Sequence, residues 1–574
     1  MKPAPSSESV SPSVLDRLGI AENPVVGADP VSFLRSLSAA AAALAKNPTG
    51  AAAANARLMI GLAAAVRATA GRVVGLDSAG PVSPAKGDKR FNDRAYAENP
   101  LYFLLEQQYL LASQLVTELL DAAGLEASQD VKARFAAKFI LDALAPTNTL
   151  PGSPAALREA FDTGGKSLVR GAKNMLGDIR HNGGWPSQVD SSDFEVGVNM
   201  AATPGSVVYR SDLIELIQYE PQGDRVRKVP LLFCPPWINK FYIMDLAPNK
   251  SLIEWAVQHG HTCFAISYRN PDASMRDLGF EDYLRQGPLD AVRVVREITG
   301  APEVNTVSVC LGGTLTAIGL AHNAAIGDRS VKSATFLNTL TDFSAPGTLG
   351  VFTDEATIAG LEKQMAKRGF LDSDKMAHTF DALRANDLIF GYVANNWLLG
   401  KKPPAFDLLV WNKDSTRMPA TMHSEYLRGC YLNNLFAQGE FEVEGQKVDP
   451  GKVEIDTYVL SAVDDHIVPW ASAYKTTQLL GGRNRFVLST SGHIAGIVNP
   501  PGPKAKHWTN EDSLPADPQE WKDAAQLHES TWWEDWSSWI AKQGGPKVAP
   551  PRQLGSKEHP PIEAAPGSYV RTRP

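Results

Sequence analysis

The chain has 574 residues, 44% of them apolar and 21% charged, which is the composition of a globular protein with room for roughly two to four domains. A net charge of −7 excludes a global basic field for nucleic acid. Four scattered cysteines, Cys234, Cys263, Cys310 and Cys430, form no CxxC pair, which excludes a disulfide framework or zinc cluster and fits a reducing cytosol.

Residues 1–30 are rich in Pro, Ser and Ala and read as a flexible lead without an apolar signal segment. Residues 31–185 read as a helical domain, Ala-rich at first and then apolar at every third or fourth position over 101–124. Its most apolar early stretch, 58–66, is flanked by Arg57 and Arg67 and reads as too short to cross a bilayer, so no transmembrane segment is expected. After Gly183-Gly184-Trp185 short apolar runs alternate with helical ones. VVYRSDLIELIQYEP (207–221) reads as paired strands, and VPLLFC (229–234), TCFAISY (262–268), TVSVC (306–310) and the start of SATFLNTLTDF (333–343) as further strands. Between them SLIEWAVQHG (251–260), PLDAVRVVREITG (288–300) and GGTLTAIGLAHNAA (312–325) read as helices, the first with Ser251 as N-cap. This alternation predicts a parallel sheet covered on both faces.

The alternation lapses over about 344–453 and resumes with VEIDTYVLSA (453–462) and NRFVLSTSGH (484–493). A long insertion this late in such a sheet reads as a cap domain. Near the end, Trp532, Trp533, Trp536, Trp539 and Ile540 fall at helical spacing, the pattern of an amphipathic helix packed on the body; a polymer- or membrane-contacting stripe is the rarer alternative. The catalytic domain is expected over 186–545, and the Pro-rich tail 546–574 is expected to be loose.

The chemistry concentrates in three segments. SVCLGG (308–313) sits where a strand runs into a Gly-rich helix start, the strand–turn–helix elbow written G-x-S-x-G in α/β-hydrolases. Cys310 holds the nucleophile position and Gly312 the second glycine, while Ser308 replaces the first. The elbow lifts its nucleophile to a helix N-terminus, whose dipole favours a thiolate. The bland alternative is a buried core cysteine that ends a strand. In SAVDDHIVPW (461–470) Asp464 and Asp465 both follow a strand, as a triad acid does, and SGHIAG (491–496) puts His493 in a loop after the next strand. The order nucleophile, acid, histidine is the hydrolase order, and all three fall on the sheet edge where α/β folds bind ligands. His466 is either a packed loop residue or a support for the acid. Two backbone N–H groups should form an oxyanion hole: Leu311, after the nucleophile, and Ile238 or its neighbour Trp237, in the loop PPWINK.

Taken together, PPWINKFYIMDL (235–246), ISYRNPDAS (266–274), SVCLGGTL (308–315), FDLLVWNKDSTRMP (406–419), YLRGCYLNN (426–434), DDHIVPW (464–470) and SGHIAGIVNPP (491–501) closely resemble the class I polyhydroxyalkanoate synthases, in order, across residues 95–545. The glycine that usually opens the family's lipase-like box is Ser308 here. The resemblance implies an α/β-hydrolase fold with a cap insertion behind a helical N-terminal domain. It implies Cys310 as the acyl-bearing nucleophile, His493 as base and Asp465 as its acid. It also suggests Asp245 and Arg384 as tentative substrate contacts, Arg384 toward CoA phosphates, with His466 beside them. The implied reaction joins (R)-3-hydroxyacyl-CoA units, 3-hydroxybutyryl-CoA foremost, into polyester with release of CoA. No metal or other cofactor is implied, CoA being part of the substrate. The implied setting is a cytoplasmic homodimer at the polyester granule. A thioesterase using the same triad, with water as acceptor, and a non-enzymatic granule-surface protein are the competing readings.

Overall fold

The computed structural model describes residues 30–573, so the lead expected over residues 1–30 lies outside the described residues but for its last one. The chain divides into two compact units: Met1–Pro186 with Asp374–Gly400, and Ser187–Ser373 with Lys401–Pro574.

The first unit is helical. Its longest helices are Pro30–Lys46, Pro48–Val73, Pro100–Ala123, Ala127–Ala143 and Lys166–His181. Their boundaries follow local chemistry: Asn47 and Asn99 each accept an amide of the first turn ahead of a proline, and Gly124 ends its helix at φ 57°. Helix Pro48–Val73 packs closely on Pro100–Ala123, because a Cβ on Gly61 would lie 2.5 Å from Leu111 Cδ2. The apolar stretch read as bounded by Arg57 and Arg67 belongs to this 26-residue helix, which by length and composition alone could cross a membrane. Alanine and arginine both favour helix, so the arginines interrupt the hydropathy without ending the helix. Segment Asp374–Gly400 falls inside the expected cap insertion but clusters with this unit. Ala385 and Ile389 are buried with Trp185, His378 stacks on Trp185 at 4.2 Å, and Trp397 Nε1 donates to Asp178 at 2.7 Å.

The second unit is built on an eleven-stranded sheet. In chain order its strands are β1 (Gly205–Arg210), β2 (Ile214–Tyr219), β3 (Leu231–Cys234), β4 (Cys263–Tyr268), β5 (Val304–Val309), β6 (Val331–Leu337), β7 (Asp456–Ala462), β8 (Asn484–Ser489), β9 (His507–Thr509), β10 (Gln526–His528) and β11 (Glu563–Ala564). Their spatial order is β10-β9-β8-β7-β6-β5-β3-β4-β2-β1-β11. From β8 to β4 the sheet is parallel, and β3 to β7 are buried almost throughout, as two-sided coverage requires. The flanks, which the alternation did not describe, are antiparallel. Only Ser211–Leu213 separate β1 from β2, and so short a link permits a hairpin but no crossover.

The tail expected to be loose is instead tied to this sheet. Lys547–Val548 pairs with Val226–Arg227, and β11 pairs with β1. Glu215, fully buried on β2, accepts the amides of Ser568 and Tyr569 at 3.2 and 3.0 Å. A buried carboxylate must be surrounded by donors, and the tail supplies them. Helix Trp532–Gln543 buries Trp532, Trp533, Trp536 and Ile540 completely or nearly so, leaving no exposed tryptophan stripe there.

Candidate active site

At the end of β5 the chain turns through Cys310, at φ 51° and ψ −121°, into helix Leu311–Ile326. A non-glycine residue with positive φ is strained, and here surrounding bonds impose it. Cys310 N donates to Leu337 O at 2.9 Å, and Cys310 O accepts from Gly313 N at 2.9 Å and Thr339 Oγ1 at 3.2 Å. Both glycines of the turn are sterically required: a Cβ on Gly312 would stand 2.3 Å from Cys234 O, and one on Gly313 2.0 Å from Thr339 Oγ1. Ser308, the departure from the glycine pattern, is accommodated because its buried hydroxyl donates to Thr316 Oγ1 at 3.0 Å. Gly312→Ala is expected to cost about 1–3 kcal/mol through overpacking. A lowered Tm with weakened Cys310 alkylation checks this, and an unchanged pair of values would contradict it.

Asp465 lies in the turn after β7. One of its oxygens accepts the amides of Ile467 and Val468 at 2.9 and 2.8 Å; the other bonds His493 Nδ1 at 2.7 Å. The neighbouring Asp464, equally eligible by position, is exposed, so the geometry selects Asp465. His493 is 6% exposed, and its imidazole lies within interaction range of the Cys310 side chain. Burial by itself lowers the histidine pKa. The Asp465 carboxylate and interactions with the Cys310 side chain outweigh it and raise the value to about 10. The three residues therefore meet, with the imidazole between thiol and carboxylate.

The His493 loop is fastened from outside the site. Asn338, in the left-handed region at φ 46° just after β6, donates its amide to His493 O. Trp532 Nε1 bonds Gly496 O at 2.8 Å and Trp533 Nε1 bonds Ile497 O at 2.9 Å. Asn338 was missed by the sequence reading; its signal was an asparagine directly after an apolar strand, a residue type that tolerates positive φ.

The loop after β3 faces the nucleophile turn, since the closest neighbours of Gly312 are Cys234 and Pro235 carbonyls. Thr416 N and Oγ1 donate to Ile238 O, each at 2.9 Å, and Oγ1 also reaches Trp237 O. Among the described residues nothing accepts the amides of Leu311 or Ile238, which leaves both free for a ligand. Tyr426 and Tyr431 lie within electrostatic reach of Cys310, and Trp237 packs edge-on against Tyr426 at 5.8 Å. Of the aromatic residues in the expected cap insertion, Phe390, Tyr392 and Trp397 belong to the helical unit and Phe406 and Trp411 to this one.

The three tentative substrate contacts differ in their surroundings. Asp245 is 3% exposed and holds Thr203 Oγ1 at 2.5 Å, with burial pushing its carboxyl upward; it ties residues 201–203 to the loop before helix Leu252–Gln258 and is not a surface contact. Arg384 is exposed in the helical unit and paired with Asp387. His466 follows Asp465 in the same turn, half-buried. The other cysteines are buried, with Cys234 and Cys430 pushed up to about 12 by desolvation and Cys263 also raised, which makes them poor nucleophiles; Cys310 is the partly exposed one. Among the described residues no group of three His, Cys, Asp or Glu could hold a metal ion.

Residues 87–256 match the family described as the poly-beta-hydroxybutyrate polymerase (PhaC) N-terminus, and residues 229–500 match the alpha/beta hydrolase fold. The chain is 43% identical over 544 residues to a poly(3-hydroxyalkanoate) polymerase of Methylorubrum extorquens, covering 94% of this chain and 90% of that one. It is 42% identical over 493 residues to the poly(3-hydroxyalkanoate) polymerase subunit PhaC of Cupriavidus necator, covering 85% and 83%. A haloarchaeal subunit, from Haloferax mediterranei, is 22% identical over 320 residues. An α/β-hydrolase unit with a cysteine elbow, joined to this length of shared sequence, places the chain in the poly(3-hydroxyalkanoate) polymerase family.

Proposed function

We propose that this chain polymerises (R)-3-hydroxyacyl-CoA, 3-hydroxybutyryl-CoA foremost, as a class I synthase that carries the growing acyl chain on Cys310. The observation that carries the reading is the Cys310–His493–Asp465 contact at a strained strand-to-helix corner. The imidazole takes the thiol proton, and Sγ attacks the thioester carbonyl. The carbonyl oxygen becomes an oxyanion, for which the unpaired Leu311 and Ile238 amides are the donors. The C–S bond to CoA then breaks, and CoA leaves with the proton from His493. Acylation also removes the Cys310 contribution that helps raise the His493 pKa. The imidazole of the acyl-enzyme is thus easier to deprotonate, which suits it to take the proton of a 3-hydroxyl. That alkoxide attacks the enzyme-bound thioester, forming an ester bond and freeing Sγ. Asp465 holds the imidazole tautomer and balances its cation throughout.

Cysteine suits this cycle. Exchange between a CoA thioester and a protein thioester is close to isoenergetic, and passage from thioester to oxyester is downhill. The aromatic residues Trp237, Tyr426 and Tyr431 beside the thiol favour exclusion of water, which would otherwise hydrolyse the chain. No cofactor is required by these steps. Arg384 stands as a candidate CoA contact and His466 as a tentative substrate contact beside the acid, and a cytoplasmic homodimer at the polyester granule is the assembly the reading implies. The test is incubation of the purified chain with 3-hydroxybutyryl-CoA: insoluble polyester with free CoA is expected, whereas soluble 3-hydroxybutyrate as the main product would make it a thioesterase.

A further inference from the structure

The loop bearing the Ile238 amide ends in a buried lysine. Lys240 is 3% exposed, and its ammonium donates to Thr572 O at 2.6 Å. Its own carbonyl accepts Trp411 Nε1 at 2.7 Å. An ammonium is costly to bury without an acceptor, so the lysine's place depends on the carbonyl brought to it. That carbonyl comes from the chain's last described turn, which Glu215 fixes through Ser568 and Tyr569 and β11 fixes through β1. Asp414, bonded to Tyr242 at 2.8 Å, contributes an attractive charge near Lys240. The loop is therefore clamped at both ends, by Gly312 against Cys234 and Pro235 and by segment 566–573 at Lys240.

We propose that Lys240 is a positioning residue, which, held by the Thr572 carbonyl, sets the Ile238 amide where the oxyanion forms. The proposal rests on the oxyanion reading given above. Without the clamp the ammonium would turn toward water and draw the loop outward, two residues from Ile238. The thiol–imidazole pair, held by β6, β7 and the tryptophan helix, would stay as it is. The clamp thus separates transition-state stabilisation from nucleophile reactivity.

The test uses the full chain with Lys240→Met and Lys240→Arg, a chain stopping after Ala565, and the combination of that chain with Lys240→Met. The readouts are single-turnover CoA release from 3-hydroxybutyryl-CoA, KM, and the rate of Cys310 alkylation by iodoacetamide. Lys240→Met and the shortened chain are each expected to lose about 10²-fold in the rate of CoA release, the size of one oxyanion donor. KM and alkylation should stay within about threefold, since neither reports the transition state. Lys240→Arg, which keeps a donor for the Thr572 carbonyl, should recover most of the rate. The combined variant should lose no more than either alone, because both break one device. Unchanged CoA release, losses that multiply, or alkylation falling as far as CoA release would each overturn the proposal. If Lys240→Met does not fold, the shortened chain decides by the same criteria. A wild-type chain that releases no CoA would sink the polymerase reading itself, whereas normal wild-type release with Lys240→Met unaffected would sink only the positioning role.

Discussion

Cys310→Ala is expected to yield a folded protein whose polymer formation falls by about 10⁶-fold, the scale seen when the nucleophile of a cooperating triad is removed. Folding should survive because Cys310 is only partly buried, and its corner is held by backbone bonds to Leu337 and Gly313 and by Thr339 Oγ1, none of which uses the thiol. Activity cannot survive, because Cys234, Cys263 and Cys430 are buried thiols raised by desolvation and are not in hydrogen-bonding contact with His493. Cys310→Ser separates chemistry from geometry. The hydroxyl fits the same corner, but the acyl group would be stored as an oxyester, with no downhill step to the next ester bond. Acylation with little chain growth is the expected result, measured as a small burst of CoA without polymer. Normal polymer from the alanine variant, or rapid growth from the serine variant, would refute a thioester-borne chain.

The second large effect concerns the imidazole and its acid. His493→Gln should approach the loss seen for Cys310→Ala, and Asp465→Asn should cost less, though still of order 10⁴-fold, because it disturbs the tautomer without removing the base. The same pair gives a pH signature. His493 is raised from 6.5 to about 10 in the folded protein. A raised pKa contributes stability that is fully present below about pH 6.5 and is lost as pH rises through about 10. The wild-type advantage in Tm over Asp465→Asn should therefore be largest in mild acid and shrink toward pH 10. An advantage that grows with pH would reverse the sign and refute the assignment. Double variants of Cys310 and His493 should be no worse than the single ones, since the residues act as a unit.

Much of this site was legible before any coordinates. The elbow announced itself through small residues around Cys310, and the steric reason is visible in Gly312 and Gly313, where a single methyl would strike a carbonyl or the Thr339 hydroxyl. The choice between Asp464 and Asp465 was not settled by position. It depends on which carboxylate the turn aims inward, and that follows from the amides of Ile467 and Val468 closing on Asp465. Asn338, Thr416 and Lys240 went unseen because each acts through a partner far along the chain, at His493, Ile238 and Thr572. The burial of Asp245 and its bond to Thr203 were likewise invisible, because a family match says nothing about burial.

The fold shows the same division. Apolar runs of four to seven residues, punctuated by glycine and proline, were enough to specify the central strands and the helices between them, since period and length are local properties of a chain. The edges of the sheet were not, because β9, β10 and β11 are two or three residues long and acquire strand geometry only from a neighbour's free hydrogen-bonding groups. Composition marked 546–574 as loose, yet a buried carboxylate on β2 and a buried lysine after β3 recruit that segment as their partner. The sequence by itself pointed to the candidate nucleophile, the order of the candidate triad and the alternating core. Tertiary structure alone decided which carboxylate meets His493, what holds the loop after β3 and where the last strands go, because burying a charge obliges the fold to find it a partner, wherever along the chain that partner lies.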